Sequence, residues 1–217
     1  MDDDEKLSRS ELGTKAYWES HYERERANLA DSGDTGVDWF AENIGDTLVA
    51  WLCEELALEN VKDMIDLGCG NGAFLFEVER RSPWERLVGV DYCDDAIALA
   101  KAVAEENGSQ RVTFRVANLE DDVGSFSIVH DKGTFDAYML GTGTIGDYRA
   151  AVLRALRPGG YLVITSCNST VSELVDYFRG SDLAVLAHIP YPTIAFGGHT
   201  GATVATVAFQ HNQPTAH

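Results

Sequence analysis

The sequence predicts an α/β protein built on a largely parallel β-sheet. Short apolar segments with strand character alternate with helical segments along most of the 217 residues, which is the pattern of βαβ units joined by right-handed crossovers. A glycine-rich turn, Gly68 to Gly72, links the first apolar segment to a helix. The last two predicted strands are separated by a loop of 13 residues without a helix, which suits an antiparallel final pair.

About sixty residues precede the first predicted strand, and they predict a helical extension. Residues 1–10 are charged and poor in apolar side chains, so we expect them to be disordered. A helix over 15–30 carries Tyr17 and Trp18 on an aromatic side, and an amphipathic helix follows over 42–58. An extension of this kind can close over a cofactor site.

Seven strands and four further helices are predicted after this extension. The strands cover residues 61–67, 87–91, 111–116, 126–129, 161–165, 183–189 and 203–209. The helices cover residues 73–81, 95–107, 147–156 and 170–178. Pro158-Gly159-Gly160 is expected to stop the third of these helices, and Thr170 with Glu173 forms a capping box at the start of the fourth. Residues 11–210 are predicted to form a single domain, followed by a loose tail over 211–217.

The charge and the apolar pattern limit the possible functions. The 17 basic and 35 acidic residues give a net charge of −18, which argues against a nucleic-acid-binding protein. The acidic surface can attract a basic partner, or it can serve solubility alone. No apolar run approaches the ~20 residues of a membrane-spanning helix, and the acidic N-terminus lacks the features of a signal peptide. We therefore expect a soluble, cytoplasmic protein, and we also expect it to be a monomer. Its four cysteines lack C-x-x-C spacing, so no metal site is predicted.

The glycine turn predicts a nucleotide-type cofactor site. Gly68, Gly70 and Ala73 satisfy the relaxed dinucleotide pattern G-x-G-x-x-A, although a tight strand–helix turn in any α/β protein could do so too. Asp66 lies two residues before the first glycine, where its carboxylate would repel a pyrophosphate. It suits instead the ammonium and sulfonium groups of S-adenosylmethionine (SAM). The spacing D-x-G-x-G-x-G resembles motif I of class I SAM-dependent methyltransferases.

Polar residues at the carboxyl ends of the strands are the other candidates, because ligands bind at that edge of a parallel sheet. Asp91 ends the second strand 23 residues after Gly68, where an acid can hold a ribose diol, unless it only caps the next helix. Asn118 follows the third strand and either reads the adenine edge or forms a turn. Asp131 ends the fourth strand, next to the expected position of the reactive methyl group. The predicted cofactor-binding residues are Asp66, Gly68, Gly70, Asp91, Tyr92, Asn118, Leu119 and Asp131.

Six sequence blocks stand in one order across nearly the whole chain: "SELGTKAYWESHYERE", "DTGVDWF", "DLGCGNG", "DKGTFDA", "ITSCN" and "FGG". Together they resemble the translation elongation factor 1-alpha lysine methyltransferases, a class I family. The resemblance implies a Rossmann-like, seven-stranded, mainly parallel sheet of order 3-2-1-4-5-7-6 with strand seven antiparallel. It also implies SAM as cofactor and transfer of its methyl group to a lysine of elongation factor 1-alpha. Asn118 departs from the family pattern, since an acid is more usual there.

Methyl transfer to lysine requires a neutral amine, although the pKa of lysine is roughly 10.4. Burial in an apolar channel and the adjacent sulfonium favour deprotonation, and a polar group must still orient the amine. Asp131 is the predicted catalytic residue, with a turn cap or a SAM contact as the alternatives. Tyr17, Trp18 and Phe135 are predicted to wall the channel, with core packing as the alternative. The competing functions are a small-molecule methyltransferase, a catalytically silent SAM-binding module and, more remotely, a dehydrogenase.

Overall fold

The computed structural model describes residues 10–36, 39–40, 42–55, 61–180, 182–191, 194–196, 199–201 and 204–212. The strands in this part of the chain are β1 (Asp63–Leu67), β2 (Arg86–Asp91), β3 (Val112–Val116), β4 (Phe126–Lys132), β5 (Leu156–Ser166), β6 (Leu183–Ile189), β7 (Ile194–Phe196), β8 (His199–Gly201) and β9 (Ala205–His211). The α-helices are α1 (Lys15–Ser32), α2 (Glu42–Ala50), α3 (Ala73–Arg81), α4 (Asp94–Asn107), α5 (Thr134–Leu140), α6 (Ile145–Ala155) and α7 (Val171–Phe178). A 3-10 helix covers Glu11–Gly13, and a π-helix covers Trp51–Glu55.

Seven strands form the central sheet in the order β3-β2-β1-β4-β5-β9-β6. Strands β1 to β5 run parallel, and β9 lies antiparallel between β5 and β6. The predicted order is confirmed, with β9 as the seventh strand of the predicted scheme. His211, the first residue of the predicted tail, still pairs with Leu183 in the sheet. Residues 213–217 of that tail and residues 1–9 of the predicted disordered segment lie outside the described residues. Strands β7 and β8 form a separate two-stranded sheet inside the predicted loop, and three residues each are too few for an alternating pattern to be recognised.

The segment between β4 and β5 differs most from the prediction. Strand β4 continues to Lys132, so Asp131 lies one residue before its end, and the strand is followed by α5, which the sequence did not predict. Helix α6 ends at Ala155, and β5 begins at once. Pro158-Gly159-Gly160 therefore lies within β5, where the pairing with β4 shifts register and Gly159 has a φ of +79°. The turn residues that predicted a break form a bulge instead.

The N-terminal extension packs beside the carboxyl edge of the sheet. Helix α1 contacts α4, and the 3-10 helix before it contacts α5. Trp18 of α1 donates its indole N–H to the carbonyl of Leu12 at 2.8 Å. The predicted helix over 42–58 is helical as far as the described residues extend, with α2 followed directly by the π-helix to Glu55. Residues 56–58 lie outside the described residues. Among the helices described, none is long and apolar enough to cross a bilayer.

Side chains of the sheet alternate between two apolar layers. Met64 belongs to the layer covered by α1 to α4, whereas Ile65 belongs to the layer covered by α5 to α7. The same alternation applies to β4, in which His130 pairs in register with Asp66, and Asp131 with Leu67. His130 and Asp131 consequently point into opposite layers. Asp66 therefore lies in the same layer as His130, whereas Asp131 lies in the layer of α5 to α7.

Candidate active site

The glycine turn after β1 is tied to the end of β2. The Gly68 N–H donates to the carbonyl of Val90 at 2.7 Å. Gly68 and Gly70 have φ values of +67° and +53°, in the left-handed region that favours glycine. A Cβ at Gly68 would overlap the Thr134 hydroxyl, and a Cβ at Gly70 would overlap the Tyr22 hydroxyl. The backbone can approach a ligand closely here because neither residue has a side chain.

Asp66 lies one residue before the end of β1 and faces α3. Its Oδ1 is hydrogen-bonded to Nδ1 of His130 at 2.6 Å, and the His130 ring stacks on Phe74 with centroids 4.0 Å apart. Asp66 is buried, yet it lines a small cleft together with Gly68 and Gly70. A carboxylate held by a stacked histidine beside the glycine turn has a fixed direction, and it fits a cationic group of a ligand.

Asp91 ends β2 and is held by backbone groups on both sides. Its Oδ2 accepts from the Gly70 N–H at 3.2 Å, and its Oδ1 accepts from the Cys93 N–H at 3.0 Å. Burial raises the pKa of Asp91 to about 6, against the lowering effect of these two hydrogen bonds. The contact with Gly70 links the acid directly to the glycine turn, so Asp91 does more than begin the next helix.

A cavity of about 500 Å³ opens beside Asp91. Its size lies within the range of small-molecule sites, roughly 300–1,000 Å³. The cavity brings together five of the predicted cofactor residues, namely Gly68, Asp91, Tyr92, Asn118 and Leu119. Its opposite wall comes from α5, α6 and the loop that joins them. The carboxyl edge of the sheet therefore carries a pocket where the strand-end prediction placed it.

A second cavity of about 570 Å³ shares a wall with the first. The shared wall consists of Gly68, Asp91, Tyr92, Thr134 and Ala137. Aromatic and polar side chains form much of the remaining lining, which includes Trp18, Tyr22, Trp39, Phe40, Lys132, Asp136, Cys167 and Asn168. The rings of Trp18 and Trp39 meet edge to face, with centroids 5.0 Å apart. A ligand in the first cavity would thus lie next to an aromatic chamber.

Asp136 brings a carboxylate into the lining of this second cavity. It lies in the first turn of α5 and is 5% exposed. Its Oδ1 accepts from the Ser166 hydroxyl, and its Oδ2 accepts from the Cys167 N–H at 2.8 Å and from the Cys167 thiol at 3.3 Å. Burial, followed by the charge of Asp136, raises the pKa of that thiol to about 11. These contacts couple α5 to the end of β5.

Asp131, the predicted catalytic residue, lines neither cavity. It is fully buried in the layer of α5 to α7. Its Oδ1 accepts from the Thr134 N–H at 3.1 Å, and its Oδ2 accepts from the Phe135 N–H at 2.9 Å and from the Tyr148 hydroxyl. Burial raises the pKa of Asp131 to about 8. The geometry favours the cap that the sequence left open, because Asp131 satisfies the free N–H groups at the start of α5.

The three aromatic residues predicted for the channel separate into two groups. Trp18 lines the second cavity. Phe135 is 1% exposed and packs in the core against Tyr148 and Phe178, with ring centroids 5.1 and 5.3 Å away. Tyr17 is half-buried on α1, edge to face with Trp18, and lines neither cavity. For Phe135 the core alternative matches the structure.

Sequence reasoning missed Asp136 because it missed α5. Seven residues are few for a periodicity signal, and Asp131 is the acid of the DKGTFDA block that lies nearer to the end of the predicted strand. The sequence does contain a signal for the segment that holds Asp136. Ser166, Cys167 and Asn168 come directly after the fifth predicted strand, just as Asp91 lies at the end of the second. The same rule would have selected them.

Comparisons of the sequence extend these observations. Residues 58–198 match a methyltransferase domain family. EEF1A lysine methyltransferase 2 from Homo sapiens is 34% identical over 208 residues, which cover 93% of this chain and 87% of the human protein. Protein-lysine N-methyltransferase efm4 from Schizosaccharomyces pombe is 36% identical over 229 residues, which cover 94% of this chain and 95% of that protein.

Solved structures share the fold at low sequence identity. Magnesium protoporphyrin IX methyltransferase (ChlM) from Synechocystis PCC 6803, with bound SAM, aligns with a TM-score of 0.61 at 12% identity, over 88% of this chain and 97% of that one. The [4+2]-cyclase SpnF aligns with a TM-score of 0.66 at 16% identity, over 93% and 97%. A methyltransferase and a cyclase share this fold, so the fold alone does not identify the reaction. The sequence matches do identify the family: the chain belongs to the methyltransferases that include EEF1A lysine methyltransferase 2 and protein-lysine N-methyltransferase efm4.

Proposed function

We propose that this protein is a SAM-dependent protein-lysine N-methyltransferase that acts on elongation factor 1-alpha. The observation that carries the proposal is the identity of 34% and 36%, over more than nine-tenths of the chain, with two proteins named as lysine methyltransferases. The name of the human protein also states EEF1A as the substrate. A demethylmenaquinone methyltransferase from Thermus thermophilus, by comparison, matches 51% of the chain. Such partial coverage is what a shared cofactor-binding fold would produce, so it lends little support to a small-molecule substrate.

The glycine turn and the first cavity support SAM as the cofactor. Asp66 offers a buried carboxylate to the ammonium group, and Gly68 and Gly70 allow the backbone to come close. Asp91 offers carboxylate oxygens to the ribose hydroxyls. When bound, SAM supplies a methyl group that its sulfonium already activates. The remaining proposed contacts are Tyr92, Asn118 and Leu119.

The second cavity supports a lysine side chain as the acceptor. Trp18, Trp39 and Phe40 offer it an aromatic lining, which suits an alkyl chain and attracts an ammonium group through the ring faces. Desolvation in such a chamber lowers the pKa of an amine, so the neutral nucleophile forms more readily. Because the methyl group arrives activated, the enzyme's main task is to align the amine with it.

Methylation of purified elongation factor 1-alpha tests the proposal. The protein is incubated with the factor and radiolabelled SAM, and the modified residue is located by mass spectrometry. We expect label on a lysine of the factor, and strongly reduced label with Asp91→Ala as the control. Absence of label, while calorimetry shows that SAM is bound, would contradict the proposed substrate. Label in a metabolite fraction instead would favour the small-molecule alternative.

The sequence predicts that the protein acts as a monomer in the cytoplasm and binds neither nucleic acid nor a membrane. These points stay predictions. The net charge of −18 supports a basic protein as the partner.

A further inference from the structure

We infer that Asp136 accepts the hydrogen bond that orients the amine of the target lysine, and that Ser166 and Cys167 hold its carboxylate in position. The inference rests on the proposed lysine methylation and adds the residue that aligns the nucleophile. It moves the role predicted for Asp131 to the second acid of the DKGTFDA block.

Position separates the two acids of this block. Asp131 points into the layer of α5 to α7, where the backbone of α5 and Tyr148 surround it. Asp136 lies on the lining of the second cavity, and Thr134 and Ala137 of the same helix belong to the wall shared with the first cavity. An amine that enters the second cavity can therefore meet Asp136 close to the place where the two cavities adjoin.

The carboxylate of Asp136 can accept one more hydrogen bond in addition to those it already makes. A carboxylate offers about four lone-pair sites. Two contacts, from the Cys167 N–H and thiol, use Oδ2, and one contact, from the Ser166 hydroxyl, uses Oδ1. An acceptor site on Oδ1 remains. The three donors are neutral, so they fix the carboxylate without neutralising its charge.

Proton and electron balance define what Asp136 does in the reaction. The lysine enters as an ammonium group and gives one proton to solvent. Its nitrogen lone pair then forms a bond to the methyl carbon, while the carbon–sulfur bond breaks and its electron pair stays on sulfur. An N–H of the amine donates to Asp136 during this step and so turns the lone pair towards the carbon. Positive charge develops on nitrogen, and the hydrogen bond to the carboxylate strengthens in the transition state.

The matched variants Asp136→Asn and Asp131→Asn test this assignment, because both replace a carboxyl group of the same block by an amide of the same shape. We measure kcat and KM with elongation factor 1-alpha and the Kd for SAM. Asp136→Asn should lower kcat by about 10²-fold, the effect of a positioned polar group, with the Kd for SAM within about twofold of the parent. Asp131→Asn keeps one oxygen acceptor for the start of α5 and should lower kcat by less than Asp136→Asn. Ser166→Ala should lower kcat by less than Asp136→Asn, again with SAM binding retained.

A binding measurement keeps this inference separate from the proposed substrate. The probe is n-butylammonium, added to the complex with S-adenosylhomocysteine and followed by NMR. The parent should bind it at least about tenfold more tightly than Asp136→Asn, as expected for one charge-assisted hydrogen bond. If the parent does not methylate elongation factor 1-alpha, the proposed function fails, and the butylammonium result still decides the role of Asp136. Equal affinity of parent and variant for the probe, or full kcat of Asp136→Asn on the factor, would overturn that role.

Discussion

The Tyr148 hydroxyl donates a hydrogen bond to the carboxylate of Asp131, and both side chains are completely buried. Asp131 also accepts the N–H groups of Thr134 and Phe135 at the start of α5. This acid therefore fixes the beginning of a helix whose first turn carries Asp136. The hydrogen bonds of Asp131 thus help to set the position of Asp136.

The first prediction concerns the pH dependence of stability at Asp131. Burial, with added repulsion from Asp136 and Asp66, raises its pKa from 3.8 to about 8 in the folded state. Between these values the folded protein holds a proton that the unfolded chain releases, so the free energy of unfolding should fall as pH rises from about 4 to about 8. Asp131→Asn is neutral throughout and should lack this component. Urea unfolding at about pH 5 and about pH 8 should show a smaller decline in the variant, by at most about 4 kcal/mol.

Comparison with the parent isolates Asp131 in this experiment. Asp91 also has a raised pKa, about 6, and general charge repulsion acts at every pH, but both effects are common to the two proteins. Parallel stability curves for parent and variant would show that Asp131 is ionised in the folded protein across this range.

The second prediction concerns SAM binding at Asp91. The ribose hydroxyls are proposed to donate to the ionised carboxylate, whose pKa is about 6 in the protein without ligand. Protonation below that pH removes an acceptor, so the affinity for SAM should weaken as pH falls through about 6. Asp91→Ala should bind SAM at least ~tenfold more weakly at pH 8, and Asp91→Asn should lose the pH dependence. Calorimetry measures both, with the exposed neighbour in Asp94→Asn as the control. An unchanged Kd in Asp91→Ala would leave Asp91 with a structural role only, as the acceptor for the Gly70 and Cys93 N–H groups.

The third prediction concerns the glycine turn. Gly70→Val places a side chain where the backbone must approach the ligand, and its Cβ would overlap the Tyr22 hydroxyl. SAM binding should be lost. Gly108→Val is the matched control, because Gly108 also has a positive φ, +65°, but a Cβ there would meet nothing within 4 Å. Asp66→Ala should abolish SAM binding as well. Calorimetric titration that finds Gly70→Val and the parent equal would refute the assignment of this turn.

Local patterns predicted the sheet well because its central strands β1, β2 and β4 are almost entirely buried segments. The helix at 73–81 and the strand at 183–189 agree with the structure to the residue, since a glycine turn begins the former and an apolar pattern delimits the latter. The bulge at Pro158-Gly159-Gly160 could not be predicted from turn chemistry. It depends on how β5 pairs with β4, which is a contact between distant parts of the chain.

The cofactor side of the candidate site was easier to predict than the acceptor side. Asp91 ends its strand, so the local pattern places it at the carboxyl edge and beside the first cavity. The direction of the Asp131 side chain depends on the alternation of β4, and its hydrogen-bond partners depend on α5. The local sequence pattern predicted neither. Asp136 and Cys167 meet only in the folded chain, 31 residues apart.

The last prediction concerns how the protein finds its substrate. An acidic enzyme with a net charge of −18 that docks a basic protein should be helped by long-range attraction. Added salt shortens the Debye length from ~10 Å at about 0.1 M to ~3 Å at about 1 M. The value of kcat/KM on elongation factor 1-alpha should therefore fall with salt through slower association, while kcat and the Kd for SAM change little. Steady-state kinetics in increasing sodium chloride measures this dependence.

Two pairs of charge-neutralising variants locate the attraction on the surface. Glu11→Gln with Glu19→Gln removes exposed charges near Leu12 and Trp18, which line the second cavity. Glu105→Gln with Glu106→Gln removes two exposed charges at the far end of α4, beside the opposite edge of the sheet. Both pairs change the net charge equally, so a steering field centred on the cavity predicts a larger fall in kcat/KM for the first pair. Equal falls would assign the effect to net charge alone, and a salt-independent kcat/KM would show that docking does not depend on charge.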